Sequence, residues 1–315
     1  MHYDIIGDVH GEYDLLVGLL KALGYKETMG AWRQYNHVAI FLGDLIDKGH
    51  QQIATVNLVR RMVEVGSAKC ILGNHELNAI AWATPDPYMS WAYLRRHSKA
   101  GNLKQHIAFL KEAEGKTIHK EIIGWFKTLP LWLDFGSFRV IHACWNKDYM
   151  DALQQKWGLK SDQTFTEELF VASTKEAKKG MNEHPAFIAV EALCKGLEVK
   201  LPLGYSFIDK DGKERHKVRI KWWRNDFETY LEAALAPQMI LECVPDVAIS
   251  KDSRIENYCE VPVFFGHYNL WEIPKVFASN IACLDYSVGG KDSLVAYRWE
   301  GENELINSHL IVMDG

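Results

Sequence analysis

Tyr3-Asp4-Ile5-Ile6-Gly7-Asp8-Val9-His10-Gly11 begins with a short apolar run, Tyr3 to Ile6, that breaks at Gly7-Asp8. Glu12 to Leu23 then places Leu15, Leu16, Leu19, Leu20 and Leu23 at helical spacing and stops at Gly24, so a strand is followed by an amphipathic helix. The unit recurs downstream. Val38 to Leu42 stops at Gly43-Asp44, and Ile53, Val56, Leu58, Val59 and Val63 continue as a helix closing at Gly66. Cys70-Ile71-Leu72 repeats the strand a third time and ends at Gly73-Asn74-His75-Glu76. Three successive βα units imply a sheet with at least a parallel portion and helices on its faces. Ligands bind such sheets just beyond the carboxyl ends of the strands, where this chain carries Asp8, His10, Asp44, Asp47, Asn74 and His75.

Farther along, Leu77 to about Pro130 reads as helical, with Trp91, Tyr93, Leu94, Ile107, Phe109 and Leu110 as packing residues. Phe138 to Ile141 returns to strand and ends at His142. The interval from about Asn146 to Asn257 is less regular and holds a hairpin, Tyr205 to Ile208 turning at Asp211-Gly212 into Lys213 to Trp222. In its second arm Lys217, Arg219 and Lys221 alternate with Val218, Ile220 and Trp222, which puts three positive charges on one face. Four more strands close the chain: Val261 to Phe265 ending at Gly266-His267, Asn280 to Tyr286, Leu294 to Trp299, and Leu305 to Val312. Asp285 to Gly290 and Glu300 to Asn303 read as turns between them. These strands look antiparallel and predict a second sheet.

The chain has 315 residues, 48% hydrophobic and 24% charged, enough to bury a large core. No apolar run reaches the roughly 18 residues of a membrane span, and Met1-His2-Tyr3-Asp4 does not open a signal peptide. A cytoplasmic protein without a membrane partner is expected. The net charge of -5 excludes a generally basic nucleic-acid coat but not a local basic patch. Six cysteines at 70, 144, 194, 243, 259 and 283 never form a CxxC pair and read as reduced, mostly core residues. Eleven tryptophans predict core and groove packing.

Five strand ends carry metal-suited ligands: Asp8 with His10, then Asp44, Asn74, His142 and His267. Gly7-Asp8-x-His10-Gly11 alone should occur by chance in roughly one chain of this length in several hundred. Adding Gly43-Asp44-x-x-Asp47-x-Gly49 and Gly73-Asn74-His75-Glu76, in order and each after an apolar strand, removes coincidence as an explanation. Imidazole and carboxylate together suit Mn, Fe or Zn rather than Ca, and no Cys stands at these positions. A carboxylate such as Asp44 can bridge two cations, so six side chains can hold two metals. Two metals about 3.5–4 Å apart form a clamp for in-line displacement at phosphorus.

The ordered signature GDxHG, GDxxDxG and GNHE with two later strand-end histidines resembles the calcineurin-like metallophosphoesterases of the phosphoprotein phosphatase group. Within it, residues 3–11 and the short first βα units are similar to bacterial PrpE and ApaH-type enzymes, which hydrolyse dinucleoside tetraphosphates. The resemblance covers residues 1 to 76, Arg139 to Cys144, and Val261 to about Trp299. It implies an α/β fold in which two central mixed β-sheets are sandwiched between helices. It further implies one domain over 1–315, with helical and hairpin insertions at about 77–130 and 146–257. Two divalent transition metals are implied, Mn first and Fe, Zn or Ni as alternatives. Carried across by motif, Asp8 and His10 would bind the first metal, Asp44 would bridge, and Asn74, His142 and His267 would bind the second. His75 would be the general acid, held by Asp47. The implied reaction is direct attack on phosphorus by hydroxide between the metals, without a phosphoenzyme.

Two positions depart from the family pattern. Lys48 replaces the usual Arg of GDxxDRG, exchanging a planar bidentate donor for a point charge on a flexible stem. Arg224, in Lys221-Trp222-Trp223-Arg224-Asn225, is the expected substitute at the substrate phosphate. Trp145, in His142-Ala143-Cys144-Trp145, is expected to crowd or line the pocket. The leading substrate is a nucleotide such as diadenosine tetraphosphate, with tryptophans near the site as adenine platforms. A Ser, Thr or Tyr phosphoprotein is the alternative. An RNA 5′ end rests on the basic hairpin arm alone, and a non-catalytic binding module conflicts with the complete ligand set.

Overall fold

The computed structural model describes residues 1–98, 100–174, 184–209, 212–224, 226–250, 259–288 and 291–315. β1 (His2–Ile6) leads into α1 (Tyr13–Ala22), which buries Leu16, Leu19 and Leu20. A hairpin follows that the sequence reading lacked, β2 (Lys26–Thr28) with β3 (Ala31–Arg33); its strands are too short for alternation to show. β4 (His37–Phe41), α2 (Gln52–Glu64) and β5 (Ala68–Cys70) complete the predicted units, and α3 (Asn74–Ala83) starts at the motif itself. α4 (Ala100–Ala113) and α5 (Thr117–Phe126) supply the helices read before Pro130. Phe109 and Leu110 are buried there, but Trp91, Tyr93 and Ile107 are 83%, 39% and 38% exposed and do not pack as expected. Trp91 and Tyr93 sit in the loop between α3 and α4, and Ile107 turns outward beside buried His106.

β6 (Trp132–Asp134) and β7 (Arg139–Ile141) pair antiparallel. α6 (Lys147–Trp157), α7 (Glu167–Ser173) and α8 (Pro185–Lys195) come next. The predicted hairpin forms in part: β8 (Glu198–Lys200) pairs with β11 (Lys217–Arg219), and β9 (Phe207–Ile208) with β10 (Glu214–Arg215). Asp211 lies outside the described residues. Val218, Ile220 and Trp222 are buried between more exposed Lys217, Arg219 and Lys221, as the alternation predicts. After the short α9 (Tyr230–Ala233) and α10 (Gln238–Leu241) come β12 (Val263–Phe265), β13 (Ile281–Cys283), β14 (Asp285–Val288), β15 (Lys291–Trp299) and β16 (Leu310–Asp314).

These strands build two mixed sheets, ordered β14-β15-β1-β4-β5, with β16 also on β15, and β13-β12-β7-β6. The predicted antiparallel second sheet is therefore corrected. β12 runs parallel to both β7 and β13, whereas β14, β15 and β16 join the first sheet. The chain changes sheets at Leu284, so Asp285 to Val288 is strand rather than turn; Gly289 and Gly290 lie outside the described residues. Gly7 makes room for this crossing, because a Cβ there would collide with the Leu284 carbonyl.

Strand alternation sorts the core into layers. Ile5, Ile40, Val295 and Tyr297 face the second sheet and share a cluster with Val140, Phe264 and Ile281; Phe264 and Tyr297 ring centroids lie 5.0 Å apart. Ile6, Ala39, Phe41 and Ala296 face the other way and pack with α1, α2, α3 and α5. Burial on both faces explains the uninterrupted apolar strands, and each such Ile or Leu contributes about 1.5–3 kcal/mol. α6, α7 and α8 pack within the second sheet's cluster through Met150, Leu153, Leu169, Ala189 and Leu193. Segments expected as insertions thus form outer layers of the sandwich. A separate small cluster, Val199, Val218, Ile220, Phe227 and Val244, organises an annex within 197–250. Among the described residues no helix is long and apolar enough to cross a membrane. All six cysteines are free, with Cys70, Cys144, Cys194 and Cys283 buried.

Candidate metal centre

Because β1, β4 and β5 are parallel, as are β7, β12 and β13, their carboxyl ends deliver Asp8, Asp44, Asn74, His142 and His267 to one edge. Backbone strain marks the place. His10, Asp44, Asp47 and His267 all have positive φ, at 51°, 51°, 89° and 71°. A non-glycine residue there costs about 1–3 kcal/mol and persists only when its surroundings over-determine it.

Those surroundings are specific hydrogen bonds. His10 Nδ1–H donates to the Ile46 carbonyl at 2.8 Å, and His142 Nδ1–H to the Leu42 carbonyl at 2.7 Å. Each ring therefore turns Nε2 inward: His10 Nε2 lies 3.8 Å from Asp44 Oδ2 and 4.0 Å from Asp8 Oδ2, and His142 Nε2 lies 3.4 Å from Asp44 Oδ1. Asn74 Oδ1 stands 3.2 Å from His142 Nε2 and 2.6 Å from His267 Nδ1. The His267 backbone N–H donates to the Asp8 carboxylate at 3.1 Å. Gly266 permits that approach, because a Cβ would strike the Asp8 carboxylate.

Two groups of ligand atoms come within 4.8 Å of one another, His10 with Asp44 and His75, and Asp44 with His142 and His267. Asp44 is common to both. The donor set fits divalent cations, and so do two further observations. His267 Nε2 is buried without a hydrogen-bond partner among the described residues. Burial and the neighbouring Asp285 charge push the Asp8 carboxyl well above its usual range, a cost that a cation would relieve.

The histidines divide by electrostatics. Burial, then the Lys48 charge, holds His10 well below the ordinary imidazole value; burial, then Arg219, does the same to His267. Both shifts favour the neutral imidazole, the form that ligates. Burial also opposes the charge on His142, but Asp44 and Asp8 outweigh it and lift this ring to about 10. Burial works to raise Asp44, yet His142, His75 and His10 together keep it well below the carboxylate range. His75 is raised against its burial by Asp44 and by Asp47, whose Oδ2 accepts its Nδ1–H at 2.7 Å. That bond aims His75 Nε2 toward Asp44 Oδ2, 3.8 Å away.

Four participants escaped the sequence reading. Glu76, fully buried, accepts from the backbone N–H groups of Asp44, Gly73 and Leu45 at 2.7, 3.0 and 2.8 Å, clamping the β4 loop to the start of α3. Burial and Asp44 raise its carboxyl to about 7. Its place at the third position of α3 is a capping-box signal. Asp285, the first residue of β14, is buried where its charge acts on Asp8, and its Oδ2 accepts from Asn269 N at 2.7 Å. It follows Ile281-Ala282-Cys283-Leu284 as Asp8 follows its own apolar run, a signal that the turn reading obscured. Arg219, half-buried on β11, is the cation most strongly felt by His267. His106 of α4 donates Nδ1–H to Asp47 Oδ1 at 2.8 Å.

The three expected pocket residues lie in different settings. Lys48 is exposed at the mouth, where Asp8, His10 and Asp285 feel its charge. Arg224 is exposed, and Asp226 engages it through Nε at 2.8 Å and Nη2 at 2.9 Å. Trp145 is a buried core residue with Arg139 over its ring at 5.0 Å. Trp222 and Trp223 pack on Phe265 behind the site, with centroids at 5.0 and 5.3 Å. The tryptophans that stay exposed are Trp91 and Trp271, the latter on the loop carrying His267.

The profile of the calcineurin-like phosphoesterases matches residues 1–200. Bis(5′-nucleosyl)-tetraphosphatase PrpE of Bacillus subtilis is 30% identical over 146 residues, which is 45% of this chain and 57% of that protein. The PrpE of a Geobacillus species is 31% identical over 159 residues, 50% of this chain and 62% of its own length. The chain thus spans a little over half the length of these curated relatives. Among solved structures, a cold-active protein tyrosine phosphatase superposes with a TM-score of 0.50 at 16% identity, covering 98% of this chain and 80% of that one, a likeness of fold.

Proposed function

The chain belongs to the calcineurin-like phosphoesterases, and from that premise we propose that it hydrolyses a phosphoanhydride bond of a dinucleoside polyphosphate such as diadenosine tetraphosphate. The observation that carries this reading is Asp44, shared by two groups of ligand atoms, with the Asp47-held His75 aimed at it. The tetraphosphatase names of the partly matching relatives support the nucleotide.

Asp8, His10 and Asp44 would hold one divalent cation, and Asp44, Asn74, His142 and His267 the other. When bound, two such cations supply an activated water and offset charge on the phosphoryl oxygens. The chain's own residues do the rest. Asp47 fixes the His75 ring through Nδ1, and with Asp44 favours its charged form, so that Nε2–H would protonate the departing oxygen; such a donor is typically worth about 10²–10⁴ in rate. Lys48 at the mouth and Arg219 beside His267 attract the phosphates. Arg219 takes the role that the sequence suggested for Arg224. Trp271 presents an apolar face to solvent near His267, suited to stacking a base.

The test is a comparison of kcat/KM for the Mn²⁺-loaded protein on dinucleoside polyphosphates, phosphopeptides, nucleoside phosphates and triphosphorylated RNA ends. A preference for the first class is expected. Preference for phosphopeptides or RNA would replace the substrate, and no turnover on any with metal bound would overturn the enzymatic reading.

A further inference from the structure

Asp47 is held from two sides. Its Oδ2 accepts from His75 Nδ1 at 2.7 Å and its Oδ1 from His106 Nδ1 at 2.8 Å. Both histidines and the aspartate are buried. Asp47 is a carboxylate, so it can only accept, and both Nδ1 atoms must carry the hydrogen. We propose that His106 is a positioning residue for the proton donor: its Nδ1–H fixes the plane of the Asp47 carboxylate and thereby the direction of the His75 ring. This inference rests on the acid role given to His75 above.

The physical need for a second donor is plain. A carboxylate held at one oxygen swings about its Cβ–Cγ bond, and His75 would swing with it; a donor at each oxygen removes that freedom. The Asp47 backbone does not supply the constraint by preference, since its φ of 89° is strained. His106 is itself fixed. Its ring is 1% exposed and lies between Trp82 and Phe109, with centroids at 5.8 and 5.3 Å. Its helix is tied to the same loop at a second point, where the Glu112 carboxylate accepts from Gln52 N at 2.9 Å and Ile53 N at 3.0 Å, at the start of α2. Gln52 Oε1 in turn accepts from Asp47 N at 2.7 Å. α4 is thus docked against the Asp47 loop through His106 and Glu112. His106 Nε2 has no hydrogen-bond partner among the described residues, so the Nδ1 bond is the polar contact that the ring makes there.

The two amide replacements separate positioning from packing. Asn places its amide nitrogen near where Nδ1 stands, whereas Gln places it near Nε2. His106→Gln is expected to lower kcat about 10–100-fold on an alkyl phosphate with a poor leaving group, the range seen when an orienting partner is lost. KM and bound metal should stay as in the wild type, and the loss on p-nitrophenyl phosphate should be smaller. His106→Asn should recover kcat to within about fivefold of the wild type. Equal losses in both variants, or none in His106→Gln, would overturn the proposal. A readout independent of turnover is ¹⁵N NMR of labelled histidine in the metal-free protein. Slowly exchanging Nδ1–H signals are expected from His75 and His106 beside those of carbonyl-bonded His10 and His142, and His106→Gln should remove its own and hasten exchange of the His75 signal. Absence of a His106 Nδ1–H bond in the wild type would also overturn the proposal. If the wild type turns over no phosphate ester, the acid role of His75 fails, while the NMR comparison still decides whether His106 holds Asp47.

Discussion

At the strand-end edge and in the 197–250 annex the chain spends charged residues in opposite ways. At the edge they are buried and held by backbone groups: Asp44 Oδ1 accepts from His75 N at 2.9 Å, His10 donates to Ile46, and His142 donates to Leu42. In the annex they face water and pair with one another, Arg215 with Asp209 and Arg224 with Asp226. Buried groups fixed from the main chain can tolerate left-handed backbone at four positions and keep their geometry. Exposed pairs fix little, because screening and side-chain entropy offset their attraction. The candidate ligands thus gather at the edge, and from the annex the half-buried Arg219 is felt there through its charge on His267.

The largest effect should come from the residue on which the edge converges. Asp44→Ala is expected to reduce bound metal below two per chain and kcat/KM by about 10³ or more, since metal stabilisation of the transition state is worth several kcal/mol; unchanged metal content by elemental analysis would break the assignment. His75→Asn should lower kcat by about 10²–10⁴ on poor leaving groups while metal content holds. A fall in metal content instead would make it a third ligand with His10 and Asp44. Within the annex the contrast sharpens. Arg219→Ala should cost about 10–100-fold in kcat/KM, the worth of a charge-assisted hydrogen bond, whereas Arg224→Ala should leave both kcat and KM at wild-type values; the reverse result would return the phosphate to Arg224.

The smallest effect is on acid stability. Burial works to raise the Asp47 carboxyl, but the hydrogen bonds from His106 and His75 outweigh it and hold the group below its ordinary value. A depressed carboxylate contributes stability above its unfolded value of about 3.9 and loses it as pH falls through the folded value. In the metal-free protein, the melting temperature should fall below about pH 4, and Asp47→Asn should flatten that dependence. Arg224→Ala should leave it alone. An unaltered slope in Asp47→Asn would place the acid sensitivity elsewhere.

Legibility followed how local each signal was. β1, β4 and α1 were readable because their periodicity lies within ten or so residues. The partition of β12 to β16 between sheets was not, since parallel and antiparallel pairing depend on which distant strand arrives alongside. Asp285 was hidden by a change of sheet at Leu284, where a strand that continues reads like a turn. Trp91 and Tyr93 were misplaced because they lie in the loop between α3 and α4, where no periodicity marks which side chains turn to solvent.

The amino-acid sequence by itself determined the βα order and the ligand-type residues Asp8, His10, Asp44, Asn74, His142 and His267, because each sits directly after an apolar strand and parallel pairing brings strand ends together. Only the tertiary structure decided that His106 reaches Asp47 across 59 residues, that Asp285 adds its charge to Asp8, and that His267 feels the charge of Arg219. Those outcomes depend on how α4, β13 and the annex dock against the edge. Docking is set by the burial of whole faces, which no local spacing encodes.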